Sequence, residues 1–176
     1  YTTLFVFPYS VGFQFSGFKN LAALNEAITK RLKNLGVTTL LFMRHLELIE
    51  YEIKIPGKEA SGEYLLDAEP INDHYTRVSA IESEDDKTDE SLSFIKFSMP
   101  IDSRVSTRTI DVAFTVATDK EGKTTFQKAK NPYISVYFPT ETESKLDFIV
   151  QGPFRTTPNR SSVPADEEEN EALAEQ

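Results

Sequence analysis

Cysteine is absent from this 176-residue chain, which excludes disulfides and thiolate metal sites and leans toward an intracellular setting. Histidine is scarce. His45 and His74 are the only two, far apart in sequence and with no metal-ligand spacing around either, so both read as ordinary structural or surface residues. Basic residues are in the minority, 19 against 28 acidic, for a formal net charge of −9. No Lys/Arg stripe offers a basic face to a phosphate backbone, so nucleic-acid binding through this segment is not expected. No apolar run approaches the roughly 18 residues of a membrane span, and no signal peptide is visible. The expectation is a cytoplasmic protein without membrane contact. There is no initiating methionine either. The chain enters "TTLFVFPY" directly, a strand already under way, as expected of a piece of something longer.

Catalytic signatures are missing as well. "GFQFSGF" carries two glycines but no Lys-Ser/Thr at the distance a phosphate loop needs. No nucleophile elbow or Ser/His/Asp order appears, and Asp111 and Asp119 show no arrangement of paired general acid and base. The acidic stretch "ESEDDKTDE" lacks the glycine and ordered spacing of a calcium loop and is expected to be a solvated, mobile excursion.

What is present is β-forming. Hydrophobic residues make up 39% of the chain, with thirteen Phe and seven Tyr, enough for a substantial core. "TTLFVFPY" reads as a strand ending at Pro8. "NLAALNEAITKRLKNLG" reads as a helix: Leu21, Leu24, Ile28, Leu32 and Leu35 recur at helical spacing, Asn20 caps the start and Gly36 ends it. "VTTLLFMRHLELIEYEIKI" reads as a long extended run. Its second half alternates Ile49, Tyr51, Ile53 and Ile55 with Glu50, Glu52 and Lys54, so one face should be wet. "PGKEASG" looks like a hairpin connection into "EYLLDAEPI", and "YTRVSAI" and "LSFIKFSMPI" are further strands. Ile110, Val112, Phe114 and Val116 alternate, "DKEGK" turns the chain into "TTFQKA", "YISVYF" and "LDFIVQG" are strands, and "PTETESK" is a polar turn. Ser161 or Ser162 with Pro164 signals a helix start, with Asp166 to Glu169 at its positive end. The class is α+β, predominantly antiparallel sheet with one helix near the N-terminus and one at the C-terminus. A boundary is expected near residue 55, dividing 1–55 from a β-rich 56–176.

The tail carries two arginines on an irregular connector. Arg155 and Arg160 sit among small polar residues in "GPFRTTPNRSSVP", just before the acidic helix. Arginine on a connector of this kind suits either a solvated surface or an encounter with an anion.

"TTLFVFPY", then "LKNLGVTTLLFMRHLELIEY", then "YISVYFPTETESKLDFIVQGPFRTTPNRSSVP" resembles, in that order, the sacsin and No Vein type of GHKL ATPase. These are relatives of the ninety-kilodalton heat-shock chaperone, and the chain looks nearest to the bacterial multidomain members. The three stretches carry the likeness; residues 56–130 are generic. The resemblance implies that residues 1–55 are the closing strand–helix–strand of an ATPase domain and 56–176 the middle domain that follows. It implies ATP and magnesium as cofactors of the parent protein. The family's nucleotide-binding motifs are not among these residues, so the segment alone is expected to bind no ATP. Thr2 falls where the family's threonine reaches the adenine-binding carboxylate. Arg160 falls where a loop arginine swings toward the γ-phosphate, with Arg155 too early. Implied partners are the upstream ATPase domain of the same chain, a protein client and a second copy in a homodimer. The family's "ETGLP" is here "ETESK", a departure at that turn. From the residues alone, the rival expectation is a non-catalytic β-rich module that binds a peptide or protein through a sheet edge.

Overall fold

A computed structural model describes residues 3–6, 17–55, 58–84, 87–101, 109–130 and 132–175, and for 58 and 87–89 the backbone alone. The chain divides into two compact units, Tyr1–Leu35 and Gly36–Gln176.

The first unit holds helix α1, Leu21–Lys33. Asn20 caps it as its sequence suggests, its side-chain oxygen accepting from Ala23 N at 2.9 Å. The helix closes at Asn34, and Gly36 then takes a φ of 81° that a side chain would resist. Lys30, Arg31 and Lys33 lie in the last turn, where the helix dipole favours cations. The strand expected in "TTLFVFPY" is not formed over residues 3–6, where Leu4, Phe5 and Val6 are exposed; the rest of that stretch lies outside the described residues.

The second unit is one sheet. Its strands among the described residues are β1 (Leu48–Ile55), β2 (Lys58–Pro70), β3 (Tyr75–Glu84), β4 (Lys87–Pro100), β5 (Thr109–Thr118), β6 (Thr124–Phe126), β7 (Tyr133–Val136), β8 (Phe138–Glu143) and β9 (Ile149–Gln151), followed by helix α2 (Glu168–Ala174). The order is β1-β2-β3-β4-β5-β9-β7-β8, with β6 also on β5. All pairings are antiparallel except β7 with β9. The α+β class, with a largely antiparallel sheet and a helix near each end, is as the sequence indicates.

Alternation divides the sheet into two faces. The inner face carries Tyr64, Leu66, Val78, Ala80, Phe94, Ala113 and Ile149, all buried. Ile49 and Tyr51 pack on the same cluster, while Glu50 and Glu52 of β1 point away from it, the wet face that the sequence pattern requires. Within this unit, turns contribute to the cover of this inner face. Val37, Leu40, Leu41 and Phe42 plug it from a run of turns, in which Thr39, Leu41 and Met43 N–H groups donate to the carbonyls three residues back. The extended run expected from "VTTLLFMRH" is therefore wrong over its first half. Only Leu48 onward is strand. Unbroken apolar sequence marks burial, and successive turns satisfy the backbone as well as a ladder does.

Three further expectations are corrected. The described residues of the acidic "ESEDDKTDE" are strand, not loop: β3 runs to Glu84 and β4 starts at Lys87, pairing Ser83 with Thr88 and Glu84 with Lys87 past a bulge at Glu82/Ser83. Two long strands already in register extend by adding backbone bonds, whatever the side-chain charge. "YISVYF" is not one strand, because Tyr137, at φ 67°, breaks it, and the polar "PTETE" that follows is strand β8. Finally, α2 starts at Glu168 with Glu167 as an N-cap that makes no side-chain bond, later than Ser161, Ser162 and Pro164 suggest. Those two serines belong instead to a turn described below.

Candidate functional site

Arg160 lies in the connector between β9 and α2, and the connector is built rather than slack. Thr157 N donates to Ser162 O at 2.9 Å, and Arg160 N donates to Thr157 O at 2.8 Å. The Asn159 side-chain oxygen gathers Thr157 Oγ1 (2.8 Å), Ser161 Oγ (3.0 Å) and Ser161 N (3.2 Å). Ser162 N returns to Thr157 Oγ1 at 3.1 Å. Small hydroxyl and amide residues supply this because their side chains reach neighbouring backbone without long rotamers to freeze. Arg160 itself sits at φ 59°, the left-handed region that non-glycine residues seldom occupy, and its side chain is exposed.

The turn is also anchored to the sheet. Glu141 N donates to Ser161 O at 2.7 Å, and Val163 N donates to Thr142 Oγ1 at 2.8 Å, both on β8. The stretch "TETE", expected to be a turn, is the strand that holds the arginine loop in place.

Arg155 has a different situation. Its Nε donates to Glu169 Oε2 at 2.6 Å and its Nη2 to Glu169 Oε1 at 2.8 Å, a two-pronged ion pair with α2. The surface pairing with the acidic helix thus belongs to Arg155. Its backbone is held by the buried Asn170: Asn170 Oδ1 accepts from Arg155 N at 2.7 Å, and Nδ2 donates to Arg155 O (3.1 Å) and Pro164 O (2.8 Å). Thr2 lies outside the described residues.

Sequence reasoning passed over one charged residue, Lys96. Alternation in "FIKF" places it beside Phe94 on the inner face, and that signal was available. Its Nζ donates to Leu41 O at 3.4 Å. Burial pushes its pKa below the ordinary lysine value; nearby Asp111 raises it in part, and Arg44 lowers it further. Asp111, itself buried, accepts from Thr109 Oγ1 at 3.3 Å, and Arg44 Nη2 donates to that same hydroxyl at 3.3 Å. The group ties β4 and β5 to the plug over the inner face. A pocket of about 550 Å³ lies on the opposite face, lined by Phe97, Phe114 and Phe126, so the Lys96 amine does not open into it.

His45 and His74 are both exposed, and no cluster of three or more metal-binding side chains occurs among the described residues. No protein-family model, curated protein or solved structure matches the chain.

Proposed function

We propose that the chain is part of a GHKL-type, heat-shock-chaperone-like ATPase, with Arg160 as its phosphate-sensing arginine. The observation that carries this reading is how Arg160 is mounted. A rarely occupied backbone conformation costs of order 1 kcal/mol or more and persists where the surroundings enforce it. Here a net of side-chain bonds and two ties to β8 enforce it, and the guanidinium is left exposed at the tip. An arginine serving solubility needs no such mounting. Arg155, the neighbouring candidate, is occupied by Glu169. The chemistry asks for arginine because a guanidinium stays charged and can give two parallel donors to phosphate oxygens.

In this reading ATP and magnesium are held by the ATPase domain upstream, and Thr2 reaches the adenine-binding carboxylate. The middle segment completes the site and passes the ATP state to a client or effector. Because the arginine turn is tied to β8, Arg160 travels with the sheet as domains close. The test is made in the parent protein. Arg160→Ala is expected to leave ATP binding near normal and to lower hydrolysis by about 10³-fold, the scale of an arginine that stabilises phosphoryl-transfer charge. Arg155→Ala is expected to lower it far less. Turnover of the Arg160 variant at the parent rate rejects the assignment.

The second reading is a non-catalytic β-rich interaction module. It is favoured by β1, an eight-residue strand that ends the sheet order among the described residues, the position at which a partner strand adds to a sheet.

A further inference from the structure

The outer face of the sheet carries an apolar strip along β4 and β5. Ile95, Phe97 and Met99 share it with Ile110, Val112 and Phe114, by strand alternation and the pairing of the two strands. The rings are in contact across strands: Tyr75 with Phe97 at 5.5 Å between centroids, Phe97 with Phe114 at 6.0 Å, Phe114 with Phe148 at 4.9 Å and with Phe126 at 5.5 Å. Phe126 is nevertheless 65% exposed and Met99 53%. Between the rings opens the pocket of about 550 Å³, rimmed by Gln127 and by the ion pair of Lys128 with Asp147 at 2.6 Å. Apolar surface gathered on one strip is a feature that soluble surfaces seldom leave without use.

Beside the strip, the same face becomes acidic. Glu50 and Glu52 of β1 and Glu59, Glu63, Asp67 and Glu69 of β2 all project to this side. Glu50 and Glu63 stand directly opposite one another across the strands, a like-charge pairing that costs stability. Lys54 on this side is already engaged by Glu52 at 2.7 Å. Between the acidic and the aromatic halves, β3 contributes Ser79, paired with Ser93, and Arg77, which stands opposite Glu69 of β2 and Ile95 of β4.

We propose that this face docks an amphipathic helix of a partner protein, one with Lys or Arg along a single flank. From Ile110 to Val116 the strip runs about 20 Å, the length of a helix of roughly 13 residues. A helix seated over β4 and β5 places its flank about two strand spacings, roughly 10 Å, from β2, within reach of a long basic side chain. The apolar face fills the ring-lined pocket, and the basic flank meets Glu63, which now faces Glu50 unfavourably. The proposal does not rest on the ATPase reading.

The probes are three labelled 14-residue helical peptides with identical spacing: Leu with one Lys flank, Leu with one Glu flank, and Ser with one Lys flank. Fluorescence anisotropy against the 176-residue chain is expected to show binding of the Leu/Lys peptide alone, weakened by added salt. Phe126→Ser, at an exposed ring, and Glu63→Lys, at the like-charge pair, are each expected to weaken binding about tenfold, with circular dichroism unchanged. Equal binding of the Ser/Lys peptide, or insensitivity to Phe126→Ser, overturns the proposal in favour of unspecific charge attraction. Absence of binding by the Leu/Lys peptide also overturns it. So does a concentration-dependent dimer in sedimentation velocity that Phe126→Ser abolishes, since a second copy is then the occupant.

Discussion

Asn170 is a residue whose role was invisible in the sequence and plain in the fold. In "EENEALA" it is a middling helix former among acidic neighbours, yet it is 5% exposed and spends both amide hydrogens and its oxygen on the connector. Removing it leaves Arg155 N, Arg155 O and Pro164 O without their partners in a partly buried place. Asn170→Ala is therefore expected to cost about 2–3 kcal/mol in denaturant unfolding, since unsatisfied buried groups cost more than a formed bond contributes. Arg155→Ala removes an exposed ion pair and is expected to cost under about 1 kcal/mol. A loss from Arg155→Ala as large as that from Asn170→Ala shows that the ion pair holds α2 as firmly as the amide clasp does. Arg160 was legible in part. Its place in a loop of small residues followed from "TTPNRSSVP", whereas its left-handed backbone and its ties to β8 needed the strand in "PTETE", which reads as a turn.

Among the elements, the legible ones were those whose own pattern decides them. β1 and β5 alternate, the Asp119 turn uses its carboxylate to hold Glu121 N and Lys123 N at 2.9 Å each, and α1 begins at its asparagine cap. The hidden ones were decided by neighbours: the β3–β4 hairpin through acidic residues, and the apolar plug of residues 36–43. Gly62 belongs with the second kind. In sequence it reads as part of a hairpin connection, but it lies within β2 opposite Tyr51, whose ring occupies the space a Cβ would need. A glycine covered by a cross-strand aromatic is a known way to keep such a position in a sheet. Gly62→Ala forces the Tyr51 ring away from Gly62 and disturbs its contact with Tyr64, 6.3 Å between centroids. The expected loss is about 1–3 kcal/mol, within the range of overpacked sites. Calorimetry checks it: an unchanged Tm means that the ring swings aside freely and that its packing contributes little.

For the molecule as a whole, the feature that composition does not reveal is a cation set under the core of an acidic protein. Lys96 joins the sheet to the plug over its inner face, and burial outweighs the attraction of Asp111 in setting its pKa. A lysine whose folded pKa lies below its unfolded value binds protons less readily when folded. The unfolded chain then holds more protons between those two values, and stability rises with pH across that window. Below it the charged amine carries its full desolvation penalty in the native state. Above it the amine is neutral in both states and the penalty is gone. Lys96→Met keeps the length of the stem and removes the charge, so the variant is expected to be more stable than the parent at neutral pH by about 1 kcal/mol. That advantage should shrink as pH climbs toward the ordinary lysine value, because only the parent gains there. Urea unfolding at a series of pH values up to about 10 follows both curves. A variant less stable than the parent at neutral pH means that the attraction between Lys96 and Asp111, together with the bond to Leu41 O, outweighs burial. The half-buried cation then acts as a tie holding plug to sheet, and the alkaline rise should be replaced by a loss of stability that sets in past the ordinary lysine value, as the amine gives up its proton.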